Sequence, residues 1–228
     1  MNKKIFFLLF VTLLIVPTVS AQTVNEGLPR FRIAVQGGYG CRFGKHHERG
    51  SGLADRAAKR IRNGFIYGAD FTWFTDSNYG FGLKFSDVHS KSEDWIMATK
   101  DFITVAVSGE SKTVLDLRFI GPTYSFRHVS QNNKCFFLIN GGFGYLSYDR
   151  SNLYLNSLSF EKGGTLGFCA DAGVDFRLMK SLYLGVSFGA IIGTLSSSTY
   201  RYDENKRKGD HHEMLSHFKF TMGLRLYL

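Results

Sequence analysis

Cysteine, proline and tryptophan are scarce in this chain, with 3, 3 and 2 respectively in 228 residues. Three cysteines are neither dense nor even in number, which excludes a disulfide scaffold. Cys41, Cys135 and Cys169 are read as small fillers. Few prolines remove the main breaker of long strands. After residue 21 no apolar run approaches the roughly 20 residues a membrane helix needs. Mean hydropathy is close to neutral, so a multi-pass helical membrane protein is also excluded. What the chain does have is 25 Gly, 22 Phe and 11 Tyr, with 44% hydrophobic residues. That composition is too aromatic and apolar for a disordered coil. Long strands with one aromatic face and one small or polar face would produce it.

The first 21 residues form a targeting segment. Lys3 and Lys4 give a positive start, Ile5 to Val16 is apolar, Pro17 breaks the run, and Val19-Ser20-Ala21 offers a small-residue cleavage site before Gln22. The apolar stretch is short for a transmembrane anchor. Two regions follow: a cleaved signal peptide at 1–21 and a single domain at 22–228. Removing Lys3 and Lys4 takes the net charge from +9 to +7.

The remaining chain alternates with a period of two, the signature of strands. Phe31, Ile33, Val35, Tyr39, Cys41 and Phe43 oppose Arg32, Gln36 and Arg42. Phe65 to Trp73, Tyr79 to Phe85, Leu115 to Phe119, Phe137 to Tyr145, Leu166 to Leu178, Leu182 to Ile192 and Phe218 to Leu228 repeat the pattern, which predicts eight strands. In the fourth, the apolar phase is expected to shift at Gly121-Pro122 before Tyr124 and Phe126. The connections alternate in length: Lys45–Gly64, His89–Ser111, Asp149–Gly164 and Leu195–Leu215 are long, while Phe74–Asn78, His128–Lys134 and Met179–Ser181 are short. An even-stranded meander in a membrane sorts its loops in this way. The fold class expected is all-β, an eight-stranded antiparallel up-and-down transmembrane β-barrel with four long outer loops and three short periplasmic turns.

The orientation of the faces decides between a membrane barrel and a soluble, lipocalin-like one. The apolar parity is free of charge, whereas the other carries Arg32, Arg42, Asp70, Lys84, Asp116, Arg118, Asp171, Asp175, Arg177, Lys219 and Arg225. In a membrane barrel the apolar parity meets lipid and the charges form a network in the lumen. Inner glycines would make room for those large side chains. Eight strands enclose a lumen that side chains just fill, so a polar plug is expected rather than a diffusion pore. A narrow path for ions or small solutes is the alternative.

The last residues, Thr221-Met222-Gly223-Leu224-Arg225-Leu226-Tyr227-Leu228, resemble the assembly signal of bacterial outer-membrane β-barrels. Thr221, Gly223, Leu226 and Leu228 fall on its polar, glycine and two apolar positions, although the family usually ends in an aromatic residue and this chain ends in Leu228. Together with Gly141-Gly142-Phe143-Gly144-Tyr145, the chain resembles small outer-membrane barrels of the OmpA/OmpX type and the porin-like outer membrane protein beta-barrel domain family. That resemblance implies the cell outer membrane of a Gram-negative envelope, with outer-membrane lipid, lipopolysaccharide and the barrel assembly machinery as partners and a monomeric state. It brings no catalytic motif. Lipid A deacylases exist on such barrels, but their His-x-Ser-Asn arrangement is absent, and Ser216 and His217, being adjacent on a strand, point to opposite faces. No enzyme, cofactor or metal site is expected.

The first long loop carries the sharpest charge feature. Lys45, Arg49, Arg56, Lys59, Arg60 and Arg62 stand against Glu48 and Asp55, and residues 53–61 could form a short basic helix. Outside a cell, the natural anionic partner for such a segment is lipopolysaccharide phosphate or another polysaccharide, the plainer alternative being a solvated loop; nucleic acid is implausible in that location. His46-His47 and His211-His212 are more simply solvated than metal-bound. Phe102 to Val107 is expected to extend a strand above the membrane. The function expected is a non-enzymatic envelope-structural or surface-interaction role.

Overall fold

A computed structural model describes residues 27–43, 61–75, 78–130, 134–154, 157–202, 205–209 and 213–228, apart from 101–104. The described strands are β1 (Phe31–Arg42), β2 (Asn63–Phe74), β3 (Tyr79–Lys100), β4 (Val105–Val129), β5 (Cys135–Tyr154), β6 (Ser157–Arg177), β7 (Leu182–Leu195), β8 (Ser198–Tyr202), β9 (Asn205–Gly209), β10 (Glu213–Met214) and β11 (His217–Tyr227). Each of β1 to β6 pairs antiparallel with the next, β7 pairs with β11, and β11 pairs with β1. These eight strands close a barrel. β8 continues β7 along β6, with three residues of β6 (164–166) opposite four (194–197) between the pairs Gly167↔Gly193 and Gly163↔Ser198. That extra residue is a bulge, which bends the wall. β9 and β10 pair back onto β8 and β7, so they lead into β11 as one interrupted strand.

Following the pairing once around the wall gives the stagger. Arg32 leads to Thr72, Gly82, Thr123, Gly142, Cys169, Ile191, His217 and finally Arg42, ten residues farther along β1. An eight-stranded barrel with this stagger has strands tilted by about 35–45° and a lumen filled by side chains.

The apolar parity faces outward. Val35, Phe65, Phe143, Leu166 and Phe220 are all exposed, whereas Arg32, Lys84, Asp171, Asp175, Lys219 and Arg225 are buried inside. A soluble barrel would place its apolar parity in the core; this barrel turns it outward. The lipid-facing reading is therefore the one the fold supports, with an apolar band on the scale of about 25 Å.

Two of the long connections are strands rather than loops. β3 and β4 remain paired up to Lys100↔Val105, and β5 and β6 up to Tyr154↔Ser157. Val105, Ala106 and Val107 pair with Lys100, Thr99 and Ala98 of β3, so the expected strand extension is present, as the arm of a hairpin. Residues 101–104 of that segment lie outside the described residues. So do the signal peptide, Lys45, Arg49, Arg56, Lys59, Arg60, both histidine pairs and nearly all of the expected basic helix.

Candidate functional site

Inward side chains stack in tiers along the lumen. At the end with the short turns lies an aromatic floor of Phe74, Phe136, Tyr183 and Tyr227. The rings of Phe136, Tyr183 and Tyr227 have centroids 4.7–5.0 Å apart. Arg127, on β4, lays its guanidinium 3.9 Å from the Phe74 ring centroid and donates Nη1 to Pro29 O at 2.9 Å. Cation–π contact lets this charge sit among the rings.

Above the floor is a layer of ion pairs. Arg32 binds Asp70 and donates Nε to Asp175 Oδ2 at 2.9 Å, and Asp175 also accepts from Tyr227 Oη at 2.7 Å. Asp171 takes Lys84 on one oxygen and Lys219 on the other, the latter at 2.7 Å. Gln36 Oε1 accepts from Arg225 Nη2 at 3.0 Å and lies 3.1 Å from Thr221 Oγ1 and 3.4 Å from Ser187 Oγ, while the two hydroxyls bond each other at 2.6 Å. Burying a charge is tolerated only with such pairing. Glycine gives the side chains room: a Cβ at Gly185 would lie 2.2 Å from Asp175 Oδ1, and one at Gly189 would lie 2.0 Å from Asp171 Oδ1.

A second apolar tier lies above the ion pairs, with Ile66, Val88, Leu115, Leu117, Phe119, Leu146, Cys169 and Ile191 buried together. At the mouth, Arg42 donates Nη2 to Glu213 Oε1 at 2.8 Å and Tyr148 Oη donates to Glu161 Oε2 at 3.3 Å. All three cysteines are free thiols.

Arg32, Asp70, Lys84, Asp171, Asp175, Lys219 and Arg225 thus belong to one inner layer, as their parity predicts. Three other expected members do not. Asp116 and Arg118 point outward, because Leu115, Leu117 and Phe119 fill the lumen side of β4. The expected phase shift at Gly121-Pro122 is absent: Ile120↔Tyr145 and Thr123↔Gly142 are in step, and odd residues face inward along the strand. Outside, Arg118 donates Nε to Asp87 Oδ2 at 3.1 Å, Tyr67 Oη donates to the same oxygen at 2.7 Å, and His89 Nδ1 lies 2.6 Å from Asp116 Oδ1. Arg177 is exposed beside a short turn, bonded to Met179 O and Lys180 O. Arg127 and Asp87 lie outside the set that parity picks out. The alternation Thr123, Ser125, Arg127 is the signal for the first; nothing in the sequence separates Asp87 from a loop residue.

Ser216 and His217 do not pair. Ser216 Oγ bonds the backbone of Gly193, and His217 Nδ1 lies 3.0 Å from Leu215 O. Among the described residues no three of His, Cys, Asp and Glu are grouped to hold a metal. Higher on the wall, Glu93 lies 2.6 Å from Lys91 Nζ and 3.2 Å from Lys112 Nζ, and these hydrogen bonds hold its carboxyl below the usual range. Arg62 donates Nε to Arg42 O at 2.8 Å. At the seam, Thr221 and Gly223 face β1 at Gly38 and Gln36, Leu226 pairs with Ile33, and Leu228 O accepts from the backbone of Arg30 and Phe31.

No protein-family model matches the chain, and no curated protein matches it. Solved structures do. Neisserial surface protein A matches over 89% of this chain and 100% of its own, with 12% identity and a TM-score of 0.53. The outer membrane protein OprG from Pseudomonas aeruginosa matches over 89% and 98%, with 10% identity and a TM-score of 0.52. A major outer membrane protein from Thermus thermophilus matches over 87% and 99%, with 9% identity and a TM-score of 0.50. The likeness is one of fold, that of small outer-membrane β-barrels.

Proposed function

We propose that this outer-membrane-type barrel is a non-enzymatic envelope protein, structural or surface-interacting, whose lumen is plugged. The observation that carries this reading is the tiering. An aromatic floor and an aliphatic tier bracket the ion pairs, so hydrated ions would have to cross two apolar constrictions and displace buried charge pairs. The apolar outer band supports residence in the outer membrane, and the leader at 1–21 would direct export. The seam strand with Thr221, Gly223, Leu226 and Leu228 would be the part the assembly machinery engages. The basic residues Lys45, Arg49, Arg56, Lys59, Arg60 and Arg62 would face lipopolysaccharide phosphate, an attraction that salt weakens.

Membrane fractionation tests residence: the protein is expected with outer membranes and to migrate faster on gels unless boiled, and recovery in the soluble periplasm would reject the reading. Planar-bilayer recordings test the plug, since regular conductance steps from the purified protein would favour a narrow channel. Unchanged lipid A acylation on deleting the gene is expected for a non-enzyme; an altered acyl pattern would indicate a lipid-modifying one.

A further inference from the structure

We infer that the ion-pair layer of the lumen holds one small inorganic anion, of chloride size, beside Arg225. Four buried cations in that layer, Arg32, Lys84, Lys219 and Arg225, face three buried carboxylates, Asp70, Asp171 and Asp175. Arg127 adds the field of a further cation from the floor.

The pairing distributes those carboxylates unevenly. Asp70 binds Arg32, Asp171 is divided between Lys84 and Lys219, and Asp175 commits Oδ2 to Arg32 and Tyr227. What remains for Arg225 is Asp175 Oδ1, 3.5 Å from its Nε. The hydrogen-bond acceptor that Arg225 does have is neutral, the amide oxygen of Gln36, which Thr221 and Ser187 also approach. Ser187 and Thr221 bond each other at 2.6 Å, so one hydroxyl proton and Arg225 Nη2 converge on that neutral oxygen, which leaves the guanidinium without an anionic hydrogen-bond acceptor. Arg225 Nη1 and Nε have no hydrogen-bond partner, yet the residue is only 1% exposed.

A lysine of the layer can give up its proton, but the guanidinium of Arg225 cannot, so its own want of an anionic acceptor persists. Its cost in a low-dielectric interior falls only if a counter-charge comes to it. Glycines hold it in place: a Cβ at Gly185 would lie 2.4 Å from Arg225 Nε and one at Gly223 would lie 2.9 Å from Nη1, so the planar group rests against bare backbone. An eight-stranded lumen is filled by side chains or holds one small ligand, which limits the ion to a compact monovalent one. The inference rests on the plugged reading of the lumen; bilayer recordings test closure and the bromide peak tests the ion, so the two can fail separately.

The test is to refold the full barrel in bromide, crystallise it and collect data at the bromine edge, for the parent protein and for Gln36→Glu. The variant supplies the missing negative charge covalently. The expected result is one anomalous peak within hydrogen-bonding range of Arg225 in the parent and none in Gln36→Glu. A second readout is the unfolding rate of the detergent-solubilised barrel in chloride against gluconate at equal ionic strength. Chloride should slow unfolding at least about tenfold in the parent and leave Gln36→Glu unchanged, while surface effects of the salt would act on both. Absence of a peak in the parent, persistence of the peak in the variant, or equal rates in the two salts would each overturn the site.

Discussion

Arg225 of the last wall strand donates Nη2 to Gln36 Oε1 of the first at 3.0 Å, across 189 residues of sequence. The contact crosses the seam where the barrel closes, and Thr221 and Ser187 approach the same oxygen. Replacing Gln36 with Ala would leave a buried guanidinium, and one hydroxyl of the Ser187–Thr221 pair, without that acceptor. The expected loss is about 2–4 kcal/mol of stability, read by urea unfolding in lipid vesicles. A change below a few tenths would show that the amide is not the centre of the seam.

Asp171 stands between two lysines, and its loss should matter more than the loss of either base. Asp171→Asn is expected to cost about 3–5 kcal/mol, because two buried ammonium groups then lack their counter-charge. Adding Lys84→Met and Lys219→Met to that variant should recover most of the loss, since the buried charges go with their partner. The comparison is made by heat-modifiable gel migration: no recovery in the triple variant would mean that the carboxylate acts through packing.

Two glycines should respond differently to the same substitution. A Cβ at Gly189 would lie 2.0 Å from Asp171 Oδ1 and 2.5 Å from Ala170 O, whereas at Gly141 it would meet nothing within 4 Å. Gly189→Ala is expected to cost about 1–3 kcal/mol by overpacking, and Gly141→Ala to change folding little. Equal melting temperatures for the two variants would contradict the crowded inner face.

Closure should be redundant. Hollowing one tier, by Phe119→Ala above the ion pairs or Phe136→Ala below them, is expected to leave the barrel silent in bilayer recordings, because the other tier still excludes water. Conductance from either single variant would place the whole seal in that one tier.

Parity makes most of the wall legible, and its failure on β4 has a physical cause. Leu115, Leu117 and Phe119 are apolar, and the rule that apolar residues face lipid puts them outside. That rule holds only within the height of the lipid band. At this height of β4 the leucines pack inside while Asp116 and Arg118 face out, the arrangement expected where a strand leaves the lipid band. Pro122 lacks a backbone N–H and interrupts the ladder to β5 without changing its step, so an undisturbed strand reads as a shifted one. Asp87 shows the same boundary: it faces outward yet is buried, held by Tyr67 and Arg118. Arg177 departs from the pattern because alternation continues formally into the turn, where the side chain finds backbone carbonyls instead of the lumen.

The pairing of β1 with β11 also sets an order of events. Gln36 cannot receive Arg225, nor Arg32 sit beside Tyr227, until the last strand has reached the first. A seven-strand intermediate lacking β11 would present two raw edges to lipid and leave Asp171 and Asp175 short of the cations, Lys219 and Arg225, that the last strand brings. Partial insertion is thus penalised twice, at the wall and inside it, and the penalty is lifted in a single step. The seam therefore makes membrane insertion an all-or-none commitment, with the charge layer acting as a latch that engages only when the circle is complete.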